Sequence, residues 1–231
     1  MTRLQLVAAV VVVLAAAGVG AGATWDVYPG AGTPIQDAID GAGEGDTIYV
    51  HAGTYVENVD VNKWVTMIGD GADVVTVRAA DVVDHVFEVT ADWVNISGFM
   101  VTATDYSAGI CLNDVNRCNI SDNTASNSLY GIYLSSSSNN NLTSNTVSDN
   151  NHGIVIDYSN NNTLQNNTLS ENTYNFGVWG YSLTHHTQSI DTSNKVDGKP
   201  IYYWVDQQDM AIPKDAGYVG VVNSTNIAVR I

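Results

Sequence analysis

Gly109-Ile110 returns as Gly131-Ile132 and again as Gly153-Ile154, each time after 22 residues. The same step carries Leu112 to Leu134 to Ile156, and Ile120 to Leu142 to Leu164. It also carries Asn123-Thr124 to Asn145-Thr146 to Asn167-Thr168. The stretch is rich in Asn and Ser, and by composition alone it would pass for a disordered tract. Three copies in one register exclude that. A fixed period of this size belongs to stacked units, none of which buries its own core alone.

Within each unit the apolar residues form short alternating runs, broken by Asn, Ser and Gly. Val, Ile, Thr and Tyr favour strands, and Asn, Ser and Gly favour turns. No apolar stripe of helical period survives, which argues against a leucine-rich repeat with a helical return. The expectation is all-β: a right-handed parallel β-helix of about three short strands per coil, adjacent coils pairing at roughly 4.8 Å. Asn123, Asn145 and Asn167 then stack as a ladder in one turn.

Lys and Arg number 8 against 24 Asp and Glu, a formal charge of −16. That balance excludes a nucleic-acid partner, which rewards a basic face, and adsorption to anionic membranes. No calcium-loop pattern is present, and no cofactor or metal is expected. Arg3, an apolar run from Leu4 to Val19 and Ala21-Gly22-Ala23 have the form of a secretory signal over residues 1–23. Secretion or display at the cell surface follows from it, with no other membrane-spanning segment. Cys111 and Cys118 fall in one coil, Cys111 outward on a strand and Cys118 inward beside Ile120; a disulfide would have to cross a turn.

Thr33-Pro34-Ile35-Gln36 reads as a capping box opening a short amphipathic helix that ends at Gly41. Placed just before the solenoid, it would cover the first coil. Strand-like runs follow over 47–50, 59–61, 65–68, 74–77 and 86–89, in coils of irregular length. From about Tyr181 to Ala216 the composition shifts toward aromatic and basic residues, reading as an insertion or irregular segment, and alternation resumes at Tyr218–Val222. About seven coils are expected after the cap. The chain stops in mid-coil, which reads as a truncated C-terminal end or an edge for end-to-end contact. Asn-x-Ser/Thr triplets at Asn95, Asn119, Asn141, Asn161, Asn166 and Asn223 are acceptor sequences for glycans, although an Asn/Thr repeat also generates them by composition.

The segment from Thr33 to Asp73, with Gly53-Thr54-Tyr55 and Gly69-Asp70-Gly71, resembles the opening coils of pectin-lyase-like β-helix proteins. The Gly-Ile-x-Leu and Asn-x-Thr array resembles NosD-type repeats, named for a periplasmic copper-protein maturation factor. The segment from Asn194 to Ile227 is similar to one found in archaeal cell-surface proteins. The resemblance implies the fold. It leaves open a structural and binding role toward carbohydrate, a polysaccharide lyase or epimerase, and a copper accessory role.

Alternation selects the side chains that leave the solenoid. A two-residue slip laying Gly177 on Gly153 gives outward columns Cys111, Tyr133, Val155, Trp179 and Asn113, Ser135, Asp157, Tyr181. Beside them Tyr130, His152 and Phe176 align. The expected ligand-binding residues are therefore Tyr130, Tyr133, His152, Asp157, Phe176 and Trp179, forming an aromatic strip for an extended polysaccharide or envelope glycan. Asp157 is the one acid in these columns, where a glycosidase needs two. No catalytic residue is assigned. His185-His186, with His152, Met100 and Cys111, are the candidate copper donors, but adjacent strand histidines point apart.

Overall fold

The computed structural model describes residues 11–13 and 22–228. The secretory signal expected over 1–23 thus lies mostly outside the described residues. The fold is an all-β parallel solenoid of about eight turns, with three sheets running along its axis. The first sheet stacks Thr24–Val27, Thr47–Val50, Thr66–Gly69, Asn95–Ser97, Asn119–Ser121, Asn141–Thr143, Thr163–Gln165 and Ser189–Ile190. Val11–Val13 lies antiparallel along its outer edge. The second sheet stacks Gly53–Val56, Val75–Arg78, Met100–Thr102, Thr124–Ser126, Thr146–Ser148, Thr168–Ser170 and Lys195–Val196. The third stacks Val59–Val61, Phe87–Val89, Ala108–Asn113, Tyr130–Ser135, His152–Asp157 and Tyr174–Trp179.

The 22-residue step holds in register. Ile110 pairs with Ile132 and Ile132 with Ile154; Ile120 pairs with Leu142 and Leu142 with Leu164. These inward residues are fully buried and form one continuous core from Val27 to Val222. Each strand of the three sheets contributes one or two apolar side chains to this core. The burial of each Leu or Ile contributes about 1.5–3 kcal/mol.

Turns are where the buried amides lie. Asn145 Nδ2 donates to Ile120 O at 2.8 Å and to Asn167 Oδ1 at 3.0 Å, and Asn145 Oδ1 accepts from the Asn123 backbone N–H at 3.1 Å. The expected ladder is present and extends to Asn194, whose Oδ1 accepts from Asn167. Others accompany it. Asn140, Asn162 and Gln188 form a second. Ser128, Asn150 and Asn172 form a third. Ser137 and Ser159 form a short fourth. In the regular coils the residue before each ladder position has left-handed backbone, for example Ser144 (φ 58°) before Asn145 and Glu171 (φ 57°) before Asn172. That conformation turns the next side chain inward, and the chain then enters a strand. Two residues after each Asn of the first two ladders stands an inward apolar residue, and after Asn150 and Asn172 of the third stand His152 and Tyr174, so no ladder Asn opens a glycan-acceptor triplet.

Two expectations about the cap are corrected. The helix Pro34–Gly41 does not precede the solenoid; it follows the strand Thr24–Val27 and closes over the first coil with Pro34, Ile35, Ala38 and Ile39 buried. Nor is Thr33-Gln36 a capping box, because Thr33 makes no side-chain cap bond. Glu57, fully buried, supplies the cap from the next sheet: Ile35 N–H donates to Oε1 at 3.2 Å and Gln36 N–H to Oε2 at 3.0 Å. Gln36 turns outward to bond Asp60 instead. The strand Gly53–Val56, which was not anticipated, carries the chain toward Glu57.

After Lys195–Val196 the path changes. Lys199–Val205 runs back antiparallel to it, and Tyr218–Val222 then pairs parallel with Lys199–Val205. Tyr203 OH donates to His186 O at 2.6 Å, and Tyr218 meets Phe176 edge-on at 5.1 Å, so this segment closes against the last coil of the third sheet.

Candidate functional site

The outer face of the third sheet carries the predicted strip, in a different register from the one expected. Val155 pairs with Gly177 and Asp157 with Trp179, so the 22-residue step continues and the two-residue slip does not occur. Ile154 pairs with Phe176, which therefore points inward and is buried. Core continuity outweighs the alignment of two glycines. The place given to Phe176 in the strip belongs to Tyr174, opposite His152.

The corrected columns change the geometry. Tyr130, His152 and Tyr174 stack at centroid separations of 5.1 and 4.9 Å, with interplanar angles of 25° and 20°. Tyr133 stacks on Tyr130 at 4.7 Å. The spacing is that of the coils, so these faces are turned toward one another along the axis and present their edges outward. Trp179 is different. Its ring stands at 89° to His152, and a side chain at Gly177 would meet its Nε1 at 3.0 Å. The indole therefore lies over Gly177, where a larger residue would press on it, and Trp179 is 40% exposed. Tyr174 is 60% exposed and Tyr181 92%. Tyr158 meets Tyr181 and His185 edge-on at 5.3 and 5.6 Å.

Asp157 sits beside Trp179 and accepts from Tyr133 OH at 3.3 Å. Burial, and secondarily the Asp157 charge, raises the Tyr133 hydroxyl above its usual range, so it stays a donor. Burial lowers His152, leaving its imidazole neutral at neutral pH. The arrangement is a wall of stacked rings, one indole platform and one oriented carboxylate. Sequence reasoning missed Tyr174 and Tyr158 as companions, and it set Tyr181 in the Asp157 column, whereas Tyr181 lies past the strand end against Tyr158; the unslipped step from Tyr130 through His152 to Tyr174 was the signal for the first.

The same register extends the Cys111 column to Glu88 and Asp60, which pair with each other at the N-terminal end of the sheet. Burial, then Asp84, Glu88 and Asp40, raises the Asp60 carboxyl. With these two earlier coils, which the columns drawn from the sequence did not include, the face carries three acids, Asp60, Glu88 and Asp157. Cys111 is outward by alternation yet nearly covered, and Cys118 is fully buried; both are free thiols. Burial pushes them to about 12 and about 11, so both stay protonated.

A family model described as periplasmic copper-binding protein (NosD) matches residues 39–196, more than half of the chain. The chain belongs to the NosD family. A cell surface glycoprotein of Methanothermus fervidus is 32% identical over 98 residues, covering 42% of this chain and 16% of that protein. The chain thus spans about a sixth of that relative's length. Among solved structures, pectate lyase Pel9A superposes with a TM-score of 0.58 at 11% identity, over 93% of this NosD-family chain and 78% of the lyase. Geobacillus virus E2 ORF18 gives 0.53 at 17% identity over 84% and 42%, and the Dettilon tailspike protein 0.51 at 10% over 88% and 43%. These likenesses show the fold alone.

The family description names copper, and the donors do not fit it. Among the described residues no three His, Cys, Asp or Glu side chains converge as a metal site. His185 packs against Tyr158, His186 Nε2 faces Gly180 O, and both thiols are buried and protonated. Met100 lies on the second sheet, away from the others.

Proposed function

We propose that this chain is an exported, surface-displayed β-helix module that binds an envelope or extracellular glycan on its third sheet. The observation that carries this reading is Trp179, which lies over Gly177, is 40% exposed and has Asp157 alongside. An indole face offers an apolar platform for a pyranose ring, and an oriented carboxylate accepts from its hydroxyls. The stacked Tyr130, His152 and Tyr174 hold the wall of the site rather than serving as successive platforms, because their faces are occupied by each other. This narrows the extended strip to a site centred on Trp179 and Tyr174. The likeness to a cell surface glycoprotein and the signal-like N-terminus support the location.

Affinity electrophoresis through gels containing dissolved polysaccharides tests the reading. Retardation of the wild type, lost in Trp179→Ala with an unchanged circular dichroism spectrum, is the expected result. Equal retardation of Trp179→Ala and wild type would remove the platform, and a lowered melting temperature in that variant without any change in retardation would leave Trp179 a packing role.

A further inference from the structure

The electrostatics of the third sheet select among glycans. Resting on the platform reading, we infer that the ligand is a neutral, hydroxyl-bearing glycan and that this face rejects polyuronates. The six strands of the sheet contain no Lys or Arg, and their outward positions carry Asp60, Glu88 and Asp157. Binding a uronate requires a donor fork or a cation at its carboxylate, the part that Arg plays best. Here the polar groups next to the indole are of the opposite kind. Asp157 is an acceptor when ionised, and its Oδ2 already takes the Tyr133 hydroxyl. A sugar hydroxyl can donate to the remaining lone pairs. A sugar carboxylate brings a second acceptor and a second negative charge to the same place.

The outward amide of Asn113 is not free for a carboxylate either, since its Nδ2 donates to Glu88 Oε1 at 3.2 Å. Glu88 and Asp157 are three coils apart, roughly 14 Å at about 4.8 Å per coil. A chain lying along the axis therefore meets like charge at both ends of its path. Arg117 lies over Trp93 at 4.9 Å, in the turn leading to the first sheet, and does not offset this. His152, whose ring stands against the indole, is kept toward its neutral form by burial and adds no positive charge there.

The test runs the wild type through gels of galactomannan, laminarin and hydroxyethylcellulose, and through gels of polygalacturonate and alginate with and without calcium. Salt is held at about 20 mM, where the screening length is about 20 Å and charge discrimination is largest. The expected result is retardation by at least one neutral polymer and at least ten-fold weaker affinity for both polyuronates. Asp157→Asn should weaken neutral binding a few-fold and narrow the gap to polygalacturonate. Polyuronate retardation equal to or above the neutral polymers, abolished by Trp179→Ala, would overturn the neutral class while leaving the platform standing. Retardation by none of the polymers would overturn both.

Discussion

The coils between Asn119 and Asn172 and those between Thr24 and Val89 meet the same demand with different side chains. Both must satisfy turn backbone that stacking has removed from water. The regular coils repeat one neutral solution, an inward amide or hydroxyl bonded to the same residue one coil on. The early coils use single charged residues, each with a different set of partners. Asp46 accepts from Ala23 N–H, Gly43 N–H and the Trp25 indole. Glu57 takes the first N–H groups of the helix, and Lys63 Nζ donates to the carbonyls of Ile39, Asp40 and Ala42 at its other end. The two residues thus complement both ends of the helix dipole from one short strand and its flanks. His51 sits between Asp26 and Asp70 at 3.0 and 3.4 Å, linking three coils. Repetition suits a step that never varies. In the early coils the step changes, as from Thr66 to Asn95 against Asn95 to Asn119, and no side chain can stack on its own copy.

The largest effect should come from breaking a ladder in its middle. Asn145→Leu removes the donors to Ile120 O and Asn167 Oδ1 and strands the Asn123 N–H, all buried. With each stranded group costing about 1–3 kcal/mol, the expected loss is roughly 3–5 kcal/mol in denaturant unfolding. Asn166→Leu, one residue before a ladder position and exposed, should cost less than about 1 kcal/mol beyond the strain of its left-handed backbone. Equal losses at the two sites would dissolve the distinction between ladder and turn surface.

The charged cap should differ from the neutral ladders in its response to acid. Burial works to raise Asp46, but the Trp25 side chain and the Gly43 and Ala23 N–H groups together outweigh it and lower the carboxyl. Its folded value therefore lies below its unfolded one, and the stability it supplies above the unfolded value is lost as pH falls through the folded one. Glu57 has the opposite sign. Burial raises it against the two helix N–H groups, so its contribution is fullest below its unfolded value and declines as pH rises through the folded one. Glu57→Ala should cost about 1–3 kcal/mol through the orphaned N–H groups. The gap between wild type and Glu57→Gln should shrink from acid to neutral pH, while Asp46→Asn should flatten the acid limb of the wild-type curve. Hydrogen exchange would locate the effect: on acidification to about pH 3, protection should fall around Ala23, Trp25 and Gly43 and hold at Asn123, Asn145 and Asn167, whose ladder has no titratable member. Parallel loss in both regions would sink the contrast.

The contrast also explains what was legible in the sequence. Translational symmetry writes itself as period, so Ile132, Leu142 and Asn145 could be placed from one copy to the next. Asn140 to Asn162, Asn150 to Asn172 and Ser137 to Ser159 keep the same 22-residue step and were equally readable. They were hidden by neighbouring Asn and Ser in the same turns, which face water. Glu57 against the helix has no second copy, and a pairing that occurs once leaves no periodic trace. The candidate site lies between these cases. Tyr130, Tyr133, His152, Asp157 and Trp179 were placed on the right face by alternation, and Phe176 was misplaced by trusting one glycine over the core. The seat of Trp179 over Gly177 was not readable, because it depends on the side-chain conformation the indole adopts.

The smallest expected effect tests whether the ladder rule can be written into a coil that lacks it. Cys118 occupies the first rung of the second ladder: its N–H donates to Asn140 Oδ1 at 2.8 Å, as Asn140 N–H does to Asn162 Oδ1 at 2.9 Å. Arg117 before it has the left-handed backbone found before the other rungs. Its thiol makes only long contacts, 3.5 Å to Ala91 O and 3.7 Å to Asn116 O. An amide at this position could donate to Ala91 O while its oxygen faces the preceding coil. Against this stands its extra volume in a fully buried place, beside coils whose step is 24 rather than 22 residues. A gained hydrogen bond contributes about 0.5–1.5 kcal/mol and modest overpacking offsets part of it, so Cys118→Asn should raise stability by under about 1 kcal/mol. Cys118→Ser, smaller and without the reach, should give no gain. A loss of more than about 1 kcal/mol in the Asn variant would mean that the rung needs a regular coil on both sides, and that the boundary between the two regions lies at Cys118 itself.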